Sequence, residues 1–370
     1  MQVENLELKN FRNYSSLNIK FKKEINIIYG NNAQGKTNIM EAIYLCATGR
    51  SHRTSKDNEL LKHGAGVFDI KLLLERDGVN KEIEIKYSTE ERKKIRINGI
   101  PVKKIGDLLG HLNAVMFSPE DLLLIKQGPV ERRRFVDITL SQLRHSYFYE
   151  LQQYAKILYQ RNALLKNIAF KKELESTLDV WDSHIARTGA RIMKARINFV
   201  AKLDVLSGMR HKNLTNNEEI LSLKYSPSID YREGSEEAEI EKLLTRMLER
   251  NRRKEIQKGV TLIGPHRDDI DIILNGVSTK IYGSQGQQRT AVLSMKLAEI
   301  DLMKEDSGEY PILLLDDVLS ELDDNRKEYL LESIKRTQTF VTCTNIRSFN
   351  RNNEETAFFY VEGGNVDHVV

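Results

Sequence analysis

The chain has 370 residues, of which 40% are hydrophobic and 30% are charged, and six are prolines. This composition is that of a folded protein long enough for two domains, and it excludes large-scale disorder and low complexity. The formal net charge of +4 is too small to indicate a nucleic-acid partner by itself.

The predicted secondary structure changes type twice along the chain. Strand patterns fill the N-terminal part, where a short β-branched run, Ile25–Tyr29, ends at a glycine. Helical periodicity follows a helix-start signal at 119–121 and continues as far as a basic helix, after which strand patterns return. This order predicts an α/β domain formed by 1–117 and 259–370, interrupted by a mainly helical insert at 118–258.

Residues 30–37 match the pattern G-x-x-x-x-G-K-[ST] of phosphate-binding loops. Backbone N–H groups of such a loop, and of the helix that follows it, point at a phosphate. Lys36 is expected to neutralise β- and γ-phosphate oxygens, and the hydroxyl of Thr37 to ligate Mg²⁺. The alternative, a chance glycine turn, is disfavoured by the strand before the loop and the helix after it. The predicted nucleotide contacts are Gly30, Asn31, Asn32, Ala33, Gln34, Gly35, Lys36 and Thr37.

An aliphatic run at 312–315 is followed by two adjacent carboxylates, Asp316 and Asp317. Such a run is typical of a strand buried in a parallel sheet, and the acids are expected at its carboxyl end, where open α/β sheets bind ligands. We interpret Asp316 as a Mg²⁺ ligand together with Thr37, directly or through water. Asp317 is interpreted as the catalytic residue that orients or activates the attacking water, with Lys36 on the phosphates. The alternative, a helix cap after a core strand, accounts for one aspartate better than for both.

Residues 283–289 precede a long amphipathic helix, and small residues that open a helix favour an anion site. Taken alone, they favour an ordinary helix cap. Their S-x-G-Q pattern resembles the signature motif of the ABC-type ATPases, which caps the γ-phosphate of the partner subunit in that superfamily. Residues 320–323 resemble its D-loop, which runs along the dimer seam. These resemblances imply nucleotide contacts by Ser284, Gly286 and Gln287, and a dimer seam at Ser320 and Asp323.

The resemblance to ABC-type ATPases also implies a fold and a mechanism. The fold is an ABC-type head, a mixed sheet around the phosphate loop, that carries the helical insert. Each chain would have two half-sites for ATP that cannot meet within one copy. ATP would therefore join two copies as a homodimer.

Stretches across the whole chain resemble the RecF family, the bacterial recombination mediator ATPases related to SMC heads. The phosphate loop indicates only a nucleotide-binding protein, whereas the N-terminal turn, parts of the insert and the segment 264–269 are specific to this family. The stretches that carry the resemblance are L-x-L-x-N-F-R-N-Y at 6–14, G-N-N and G-K-T-N within 30–38, S-H-R-T at 51–54, F-S-P-E-D-L at 117–122, Q-R-N and L-L-K within 160–166, G-P-H-R-D-D at 264–269, G-S-Q-G-Q-Q-R at 283–289 and L-D-D at 315–317.

This resemblance implies an ATP- and Mg²⁺-dependent, DNA-binding homodimer with weak, DNA-stimulated ATP hydrolysis. Such a protein would act in recombinational repair, the SOS response and replication restart, at gaps and at junctions of single- and double-stranded DNA. The implied partners are RecR and RecO, with which it would help RecA displace single-strand-binding protein.

Two departures from the wider ABC pattern bear on turnover. The usual catalytic glutamate is the shorter Asp317, and Thr-Cys-Thr at 342–344 stands where that superfamily has a histidine. A shorter base and a missing polariser predict slow hydrolysis, as in a switch rather than a pump. The glutamine that links the helical lobe to the metal has no clear counterpart, and Ser118 or Glu120 is a candidate for that role.

Positive charge is concentrated in the insert, where residues 131–212 contain 16 Lys and Arg against 8 Asp and Glu. One-sided basic stripes at helical spacing suit contacts with DNA phosphates, although a solvated helix face is the favoured explanation for any one stripe. Arg53, His266 and Arg267 are further candidates for sensing nucleotide or DNA. The candidate DNA contacts are Arg132, Arg133, Arg187, Arg191 and Lys194.

Two other functions fit parts of the sequence. A structural SMC-like head would need a much longer coiled-coil arm, and the heptads of the insert lapse at Gly189 and Arg196. A transporter-type ATPase subunit would need a membrane partner and leaves the insert unexplained. The aliphatic runs are far shorter than the roughly 20 residues of a membrane span, no apolar signal core opens the chain, and Cys46 and Cys343 match no metal spacing. The sequence therefore predicts a cytoplasmic protein with no membrane partner.

Overall fold

The computed structural model describes residues 1–346 and 355–369. The chain forms two compact units: unit 1 comprises Met1–Asp121 and Lys296–Val370, and unit 2 comprises Leu122–Met295. None of the helices in this described part has the length and apolar character needed to span a lipid bilayer.

The secondary structure changes from strands to helices and back to strands. The strands are β1 Gln2–Phe11, β2 Tyr14–Lys20, β3 Ile25–Tyr29, β4 Val67–Arg76, β5 Val79–Ser88, β6 Lys94–Ile97, β7 Ile100–Pro101, β8 Ala114–Phe117, β9 Leu221–Ser226, β10 Asp269–Leu274, β11 Val277–Ser278, β12 Ile312–Asp316, β13 Thr339–Cys343, β14 Thr356–Glu362 and β15 Asn365–Val369. The helices are α1 Lys36–Thr48, α2 Leu123–Lys126, α3 Pro129–Leu143, α4 His145–Ile168, α5 Leu178–Leu214, α6 Glu237–Lys258, α7 Thr279–Tyr282, α8 Gln285–Ser307 and α9 Asp324–Ser333.

An antiparallel sheet in unit 1 has the strand order β2-β1-β4-β5-β6-β7. Its strands alternate in burial, as in β4, where Phe68, Ile70, Leu72 and Leu74 are buried and the residues between them are not. Strands with this two-residue period bury one face and leave the other to solvent. The buried face contributes to the core of unit 1.

The second sheet of unit 1 has the order β15-β14-β3-β13-β12-β8. Strands β14, β3, β13, β12 and β8 pair in parallel, whereas β15 is antiparallel to β14. All five residues of β12 are buried, which explains its aliphatic run because a strand covered on both faces has no polar side. Parallel strands end at the same edge, so the carboxyl ends of β3, β13, β12 and β8 lie side by side. The predicted mixed α/β sheet around the phosphate loop is confirmed.

The core of unit 1 joins side chains from both sheets and from α1 in one cluster. Ile39, Ala42 and Ile43 of α1 are fully buried, and the ring of Phe21 packs edge-on against that of Phe340 with centroids 4.8 Å apart. Helix α1 follows the phosphate loop, so this packing also fixes the loop against the sheet.

Unit 2 is mainly helical and contains an antiparallel sheet in the order β11-β10-β9. Strand β10 pairs with β9 over its whole length, and the guanidinium of Arg196 on α5 donates to the carbonyl oxygen of Pro265 at 2.6 Å. The compact unit therefore ends later than the insert predicted at 118–258, because a strand beyond residue 258 completes a sheet begun within the insert. The domain boundary at 258 itself stays a prediction.

A buried ionic network fastens unit 2. The guanidinium of Arg161, which is fully buried, donates to Asp182 and Glu255 at 2.7 Å each and to the hydroxyl of Thr261 at 2.8 Å. Both carboxylates are buried as well. An unpaired charge in the interior is strongly destabilising, so Arg161 needs these carboxylates and Glu255 needs Arg161. Asp182 has a second partner, Arg252, which donates to it at 2.8 Å. The network holds α4, α5 and α6 together.

His266, one of the sensor candidates, is partly buried within unit 2. Its Nε2 lies 3.1 Å from the carbonyl oxygen of Thr261, and its Nδ1 lies 2.7 Å from the hydroxyl of Tyr154. A carbonyl can only accept, so Nε2 carries the hydrogen and Nδ1 accepts from the tyrosine. Burial lowers the pKa of His266 to about 4. The folded chain therefore keeps this imidazole neutral.

Arg161→Met should destabilise unit 2 by about 3 kcal/mol, because Glu255 remains buried without its cation, whereas Asp182 keeps its bond from Arg252 at 2.8 Å. The measurement is urea unfolding followed by the fluorescence of Trp181, the single tryptophan of the chain and a neighbour of Asp182 on α5. Arg187→Met is the matched control, since its side chain is 57% exposed. The control should change stability by less than about 0.5 kcal/mol. Equal unfolding midpoints for the two variants would contradict the role given to Arg161.

The neutral state of His266 should make the stability of unit 2 depend on pH. Its folded pKa lies below the ordinary value of 6.5, so its stabilising contribution is complete above pH 6.5 and is lost as the pH falls toward 4. Relative to His266→Gln, the unchanged chain should lose up to about 3 kcal/mol over this range, because glutamine keeps a donor and an acceptor but does not titrate. The measurement is urea unfolding, followed by Trp181, at several pH values. A difference between the two proteins that stays constant with pH would speak against this assignment.

Candidate nucleotide site

The phosphate loop follows the carboxyl end of β3 and leads directly into α1. Gly30 has a φ of 149°, and a Cβ on it would clash with the carbonyl oxygen of Val361, so glycine is required here. Gly35 has a φ of 115° and precedes the first helical residue, Lys36. None of the described side chains caps this end of α1. The N–H of Asn38 bonds to the carbonyl oxygen of Gly35 at 3.0 Å. The N–H groups of Lys36 and Thr37 at the start of the helix are thus left for a ligand, as in anion sites at helix N-termini.

Asn13 supports the loop from the turn between β1 and β2. Its amide nitrogen donates to the carbonyl oxygen of Gln34 at 2.7 Å, and its amide oxygen accepts from the side chain of Asn38 at 2.8 Å. A Cβ at Gly35 would clash with the amide of Asn13, so glycine permits this close contact. The sequence predicts no role for Asn13. The sequence feature that could have indicated a role for Asn13 is the N-F-R-N-Y stretch at 10–14, which contains it.

The loop curls around the side chain of Lys36. The buried ammonium donates to the carbonyl oxygens of Gly30 and Asn31, each at 2.8 Å. These bonds hold the positive charge inside the loop, where the predicted phosphate contacts require it. Asn32 and Ala33 are exposed.

Thr37 and Asp316 meet across the sheet, although 279 positions separate them in the chain. The hydroxyl of Thr37 donates to a carboxylate oxygen of Asp316 at 2.9 Å. They meet because β3, which precedes the loop, and β12, which ends at Asp316, flank β13 in the sheet. Hydroxyl and carboxylate oxygens suit Mg²⁺, which commonly keeps waters and phosphate oxygens as its other ligands. The pair therefore fits the predicted metal site, which stays a prediction.

Thr342 on β13 contacts both adjacent aspartates. Its hydroxyl donates to Asp316 at 2.6 Å and accepts from the backbone N–H of Asp317 at 2.9 Å. Burial raises the pKa of Asp316, and the hydrogen bonds from Thr342 and Thr37 act in the opposite direction. The sequence marks 342–344 as a departure from the ABC pattern, but it does not predict this contact, which depends on the pairing of β12 with β13.

Asp317 has a left-handed backbone with a φ of 57°. This conformation costs a non-glycine residue about 1 kcal/mol or more and persists when neighbouring contacts fix it. Here the contacts are the bond from its N–H to Thr342 and a bond from the hydroxyl of Ser320 to its carbonyl oxygen at 2.7 Å. The side chain is half-buried at the end of β12, a position that suits the predicted water-orienting role.

The two residues predicted at the dimer seam are exposed. Ser320 bonds back to Asp317 as described, and Asp323 caps α9 by accepting from the backbone N–H of Arg326 at 3.0 Å. Both therefore have local structural contacts and an exposed surface. Their place in a seam stays a prediction.

Glu41 on α1 is buried and contacts two arginines. Arg12 donates to it twice, at 2.8 and 2.6 Å, whereas Arg53 lies 3.5 Å from the same carboxylate and donates to Asn38 at 3.0 Å. Burial would raise the pKa of Glu41, but the hydrogen bonds from Arg12 and Ser51 hold it below the ordinary value. Arg53 is thereby held beside α1 with part of its guanidinium exposed, as the predicted nucleotide sensor requires.

Ser118, a candidate for the role of the missing glutamine, follows the last residue of β8. That residue, Phe117, pairs with Leu315 of β12, so Ser118 lies at the same sheet edge as Asp316. The other candidate, Glu120, is exposed. The structure thus brings Ser118 next to the candidate metal site, and the choice between the two stays a prediction.

The signature-like segment belongs to unit 2 and opens α8. The hydroxyl oxygen of Ser284 accepts from the backbone N–H of Gln287 at 3.2 Å, and the side-chain oxygen of Gln287 accepts from the N–H of Ser284 at 2.9 Å. This reciprocal pair is a capping box. It leaves the O–H hydrogen of Ser284 unused within the pair, and Ser284 and Gly286 are exposed. The segment is therefore a helix cap that can also offer donors to an anion.

The candidate DNA contacts differ in burial. Arg132 is buried and makes two bonds to Asp269, at 2.7 and 2.8 Å, so its charge is already engaged within unit 2. Arg133 donates to the carbonyl oxygen of Asp268 at 2.6 Å. Three residues on α5 make ion pairs with glutamates in or just before α6. These are Arg187 with Glu241, Arg191 with Glu237 and Lys194 with Glu236. DNA contact by any of these residues stays a prediction.

Comparison with known proteins identifies close relatives. A family model described as the RecF/RecN/SMC N terminal domain matches residues 2–366. A protein of Acetivibrio thermocellus described as DNA replication and repair protein RecF is 54% identical over 365 residues, which cover 98% of this chain and 99% of that protein. A protein of Ruminiclostridium cellulolyticum with the same description is 52% identical over 368 residues, which cover 99% of each.

Solved structures show the same relationship. One described as the recombination mediator protein RecF-ATP in the RecFOR pathway is 39% identical with a TM-score of 0.94, and the match covers 100% of this chain and 98% of that one. An SmcHead bound to the C-winged helix domain of ScpA has a TM-score of 0.55 at 17% identity, over 100% of this chain and 97% of that one, which shows a shared fold. The family model and the full-length relatives together show that the chain belongs to the RecF family.

Proposed function

We propose that this chain is an ATP-dependent, DNA-binding switch of DNA recombination and repair, in which ATP joins two copies and slow hydrolysis separates them. The observation that carries the proposal is the meeting of Lys36, Thr37 and Asp316 at one edge of a parallel sheet. The solved relative described as RecF-ATP, which has the same fold over the whole chain, supports ATP as the ligand.

In this proposal the phosphate loop holds the β- and γ-phosphates of ATP. The buried ammonium of Lys36 supplies positive charge, and the backbone N–H groups of the loop and of α1 complete the cradle. Thr37 and Asp316 would hold Mg²⁺, whose chemistry is to neutralise phosphate charge during transfer. Asp316 is already fixed by bonds from Thr37 and Thr342, so its position is set before any ligand arrives.

Hydrolysis depends on Asp317, which we assign to orienting or activating the attacking water. Its carboxylate reaches less far than the glutamate of the wider ABC pattern, and the hydroxyl of Thr342 is bonded to Asp316 and to the backbone of Asp317 rather than being free to polarise a phosphate. Both features favour slow turnover. A slow step suits a protein whose ATP-bound state has to persist on DNA.

The second half of each ATP site would come from the other copy. Ser284, Gly286 and Gln287 of one copy would contact the γ-phosphate held by the loop of the other, with Ser320 and Asp323 along the seam. The exposure of Ser284 and Gly286 at the start of α8 supports this arrangement. A long helix whose N-terminus is open to solvent favours an anionic ligand.

DNA is the proposed macromolecular partner, at gaps or at junctions of single- and double-stranded DNA. RecR and RecO are proposed as protein partners in assisting RecA. The description of the solved relative as a recombination mediator of the RecFOR pathway supports this assignment. The half-exposed basic residues of α5 are the candidate phosphate contacts, and binding through them would weaken as salt increases.

Lys36→Met should weaken ATP binding roughly tenfold to hundredfold and abolish ATP-driven dimerisation, because the triphosphate loses a charged hydrogen-bond donor. The measurement is sedimentation velocity without nucleotide, with ADP and with ATP, each with and without gapped duplex DNA. Lys23→Met, at an exposed lysine between β2 and β3, is the control. The proposal fails if Lys36→Met and the control form the same fraction of dimer with ATP.

Asp317→Asn should leave ATP affinity unchanged, lower single-turnover hydrolysis by about 10²- to 10⁴-fold, and trap the dimer. Asparagine keeps the size of the side chain but cannot act as a base. The measurement is the decay of ATP in one cycle, with the dimer fraction recorded over the same time. Asp324→Asn, at a fully exposed position nearby, is the matched control. Hydrolysis of Asp317→Asn at the rate of the control would assign the attacking water to another group.

A further inference from the structure

A polar chain lies behind the signature-like segment and ends on a fully buried histidine. Glu219, between α5 and β9, accepts from the side-chain nitrogen of Gln287 at 2.8 Å. The other oxygen of Glu219 lies 3.1 Å from Nε2 of His211, and Nδ1 of His211 lies 3.0 Å from the hydroxyl of Ser294 on α8. Neither Glu219 nor His211 has a part in the site described above.

We propose that Glu219, held in place by His211, is a positioning residue for the signature segment. It fixes the side-chain amide of Gln287, which in turn fixes Ser284 for contact with the γ-phosphate of the ATP bound by a second copy. This inference rests on the proposed ATP-dependent dimer.

The hydrogen-bond donors and acceptors allow one orientation of the Gln287 amide. A carboxylate can only accept, so the amide nitrogen must face Glu219 and the amide oxygen must face the N–H of Ser284. The reversed amide would place oxygen against carboxylate and nitrogen against N–H, and both contacts would repel. Glu219 therefore selects the orientation in which Gln287 completes the capping box. In that box the oxygen of Ser284 accepts from the backbone, which leaves its hydrogen to donate to an anion.

His211 gives Glu219 a fixed position. The imidazole lies in the last turn of α5 and is fully buried, whereas the side chain of Glu219 is 20% exposed. Because Glu219 can only accept, Nε2 of His211 carries the hydrogen of their bond. The carboxylate thus has one oxygen bound to a rigid helix and the other bound to the signature segment.

The contacts among Ser294, His211 and Glu219 resemble a nucleophile triad of serine, histidine and glutamate. The structure does not support that role. The hydroxyl of Ser294 is fully buried and donates to the carbonyl oxygen of Thr290 at 2.8 Å. A nucleophile needs access to its substrate. The single hydrogen of this hydroxyl goes to Thr290, so only its oxygen is available to Nδ1 of His211, and Ser294 is not a nucleophile.

Glu219→Ala should weaken ATP-driven dimerisation by about tenfold, because the lost bonds involve a charged group, while leaving the ATP affinity of the monomer unchanged. Glu219→Gln should restore most of the dimerisation. Its side-chain oxygen can accept from Gln287, and its nitrogen can donate to Nε2 of His211 when the imidazole carries its hydrogen on Nδ1. Glu218→Ala, at the exposed neighbouring position, is the matched control. A merely structural role for Glu219 would lower the melting temperature and leave the dimerisation constant of the folded protein unchanged.

A mixed dimer tests whether Glu219 acts on the ATP of the other copy. Asp317→Asn and Glu219→Ala are mixed, so that the loop of the Glu219→Ala copy meets the intact signature segment of the Asp317→Asn copy. We expect the mixture to hydrolyse ATP faster than either variant alone. If the mixture is no faster than the separate variants, the proposal is overturned. Should the unchanged chain form no dimer with ATP, the proposed function fails. If the unchanged chain forms the dimer with ATP and Glu219→Ala forms it equally well, only the positioning role of Glu219 fails.

Discussion

The candidate site depends on one constraint, the parallel pairing of β13 between β3 and β12. Strand β3 leads into the phosphate loop, β12 ends at Asp316, and β13 places Thr342 beside Asp316 in register. A shift of one residue in this register would turn Thr342 to the other face of the sheet and break both of its bonds to the aspartates. The chemistry at the edge therefore follows from the strand order, and the aliphatic core around β12 keeps that order.

Three residues at the same edge have left-handed backbone conformations that contacts from other parts of the chain support. Gly30 and Gly35 have positive φ values, and Val361 and Asn13 also leave no room for a side chain there. Asp317 has a positive φ although it is not a glycine. Bonds to Asn13 hold the loop, and bonds to Thr342 hold the turn after β12. These supports fix the ligand-facing groups before a ligand binds, which is how a site avoids reorganisation when it acts.

Local patterns in the sequence predict the parts of the structure that are local. The strand–loop–helix around residues 30–37 and the buried strand before Asp316 are clear from spacing, because each depends on neighbours in the chain. Asn13, Thr342 and Glu219 could not be found in this way, since each acts through a partner more than 20 positions away. For Arg132 the local sequence pattern misleads instead. Arg132 belongs to a basic cluster that suggests a surface, yet Asp269, far along the chain, accounts for its burial.

The basic residues of the helical unit fall into a buried group and an exposed group, and only the exposed group is available for contact with DNA. Arg161 and Arg196 are almost fully buried and are paired with acids. Such arginines cannot exchange a carboxylate for a phosphate without leaving the buried region. Arg187 and Arg191 are about half exposed, with glutamate partners that are partly open to solvent, and ion pairs near the surface contribute only about 0–1 kcal/mol. Phosphates can therefore displace the glutamates of the second group at little cost. The count of basic residues in the sequence therefore overstates the positive charge that a phosphate could reach, and the accessible part of that charge includes the exposed side of α5.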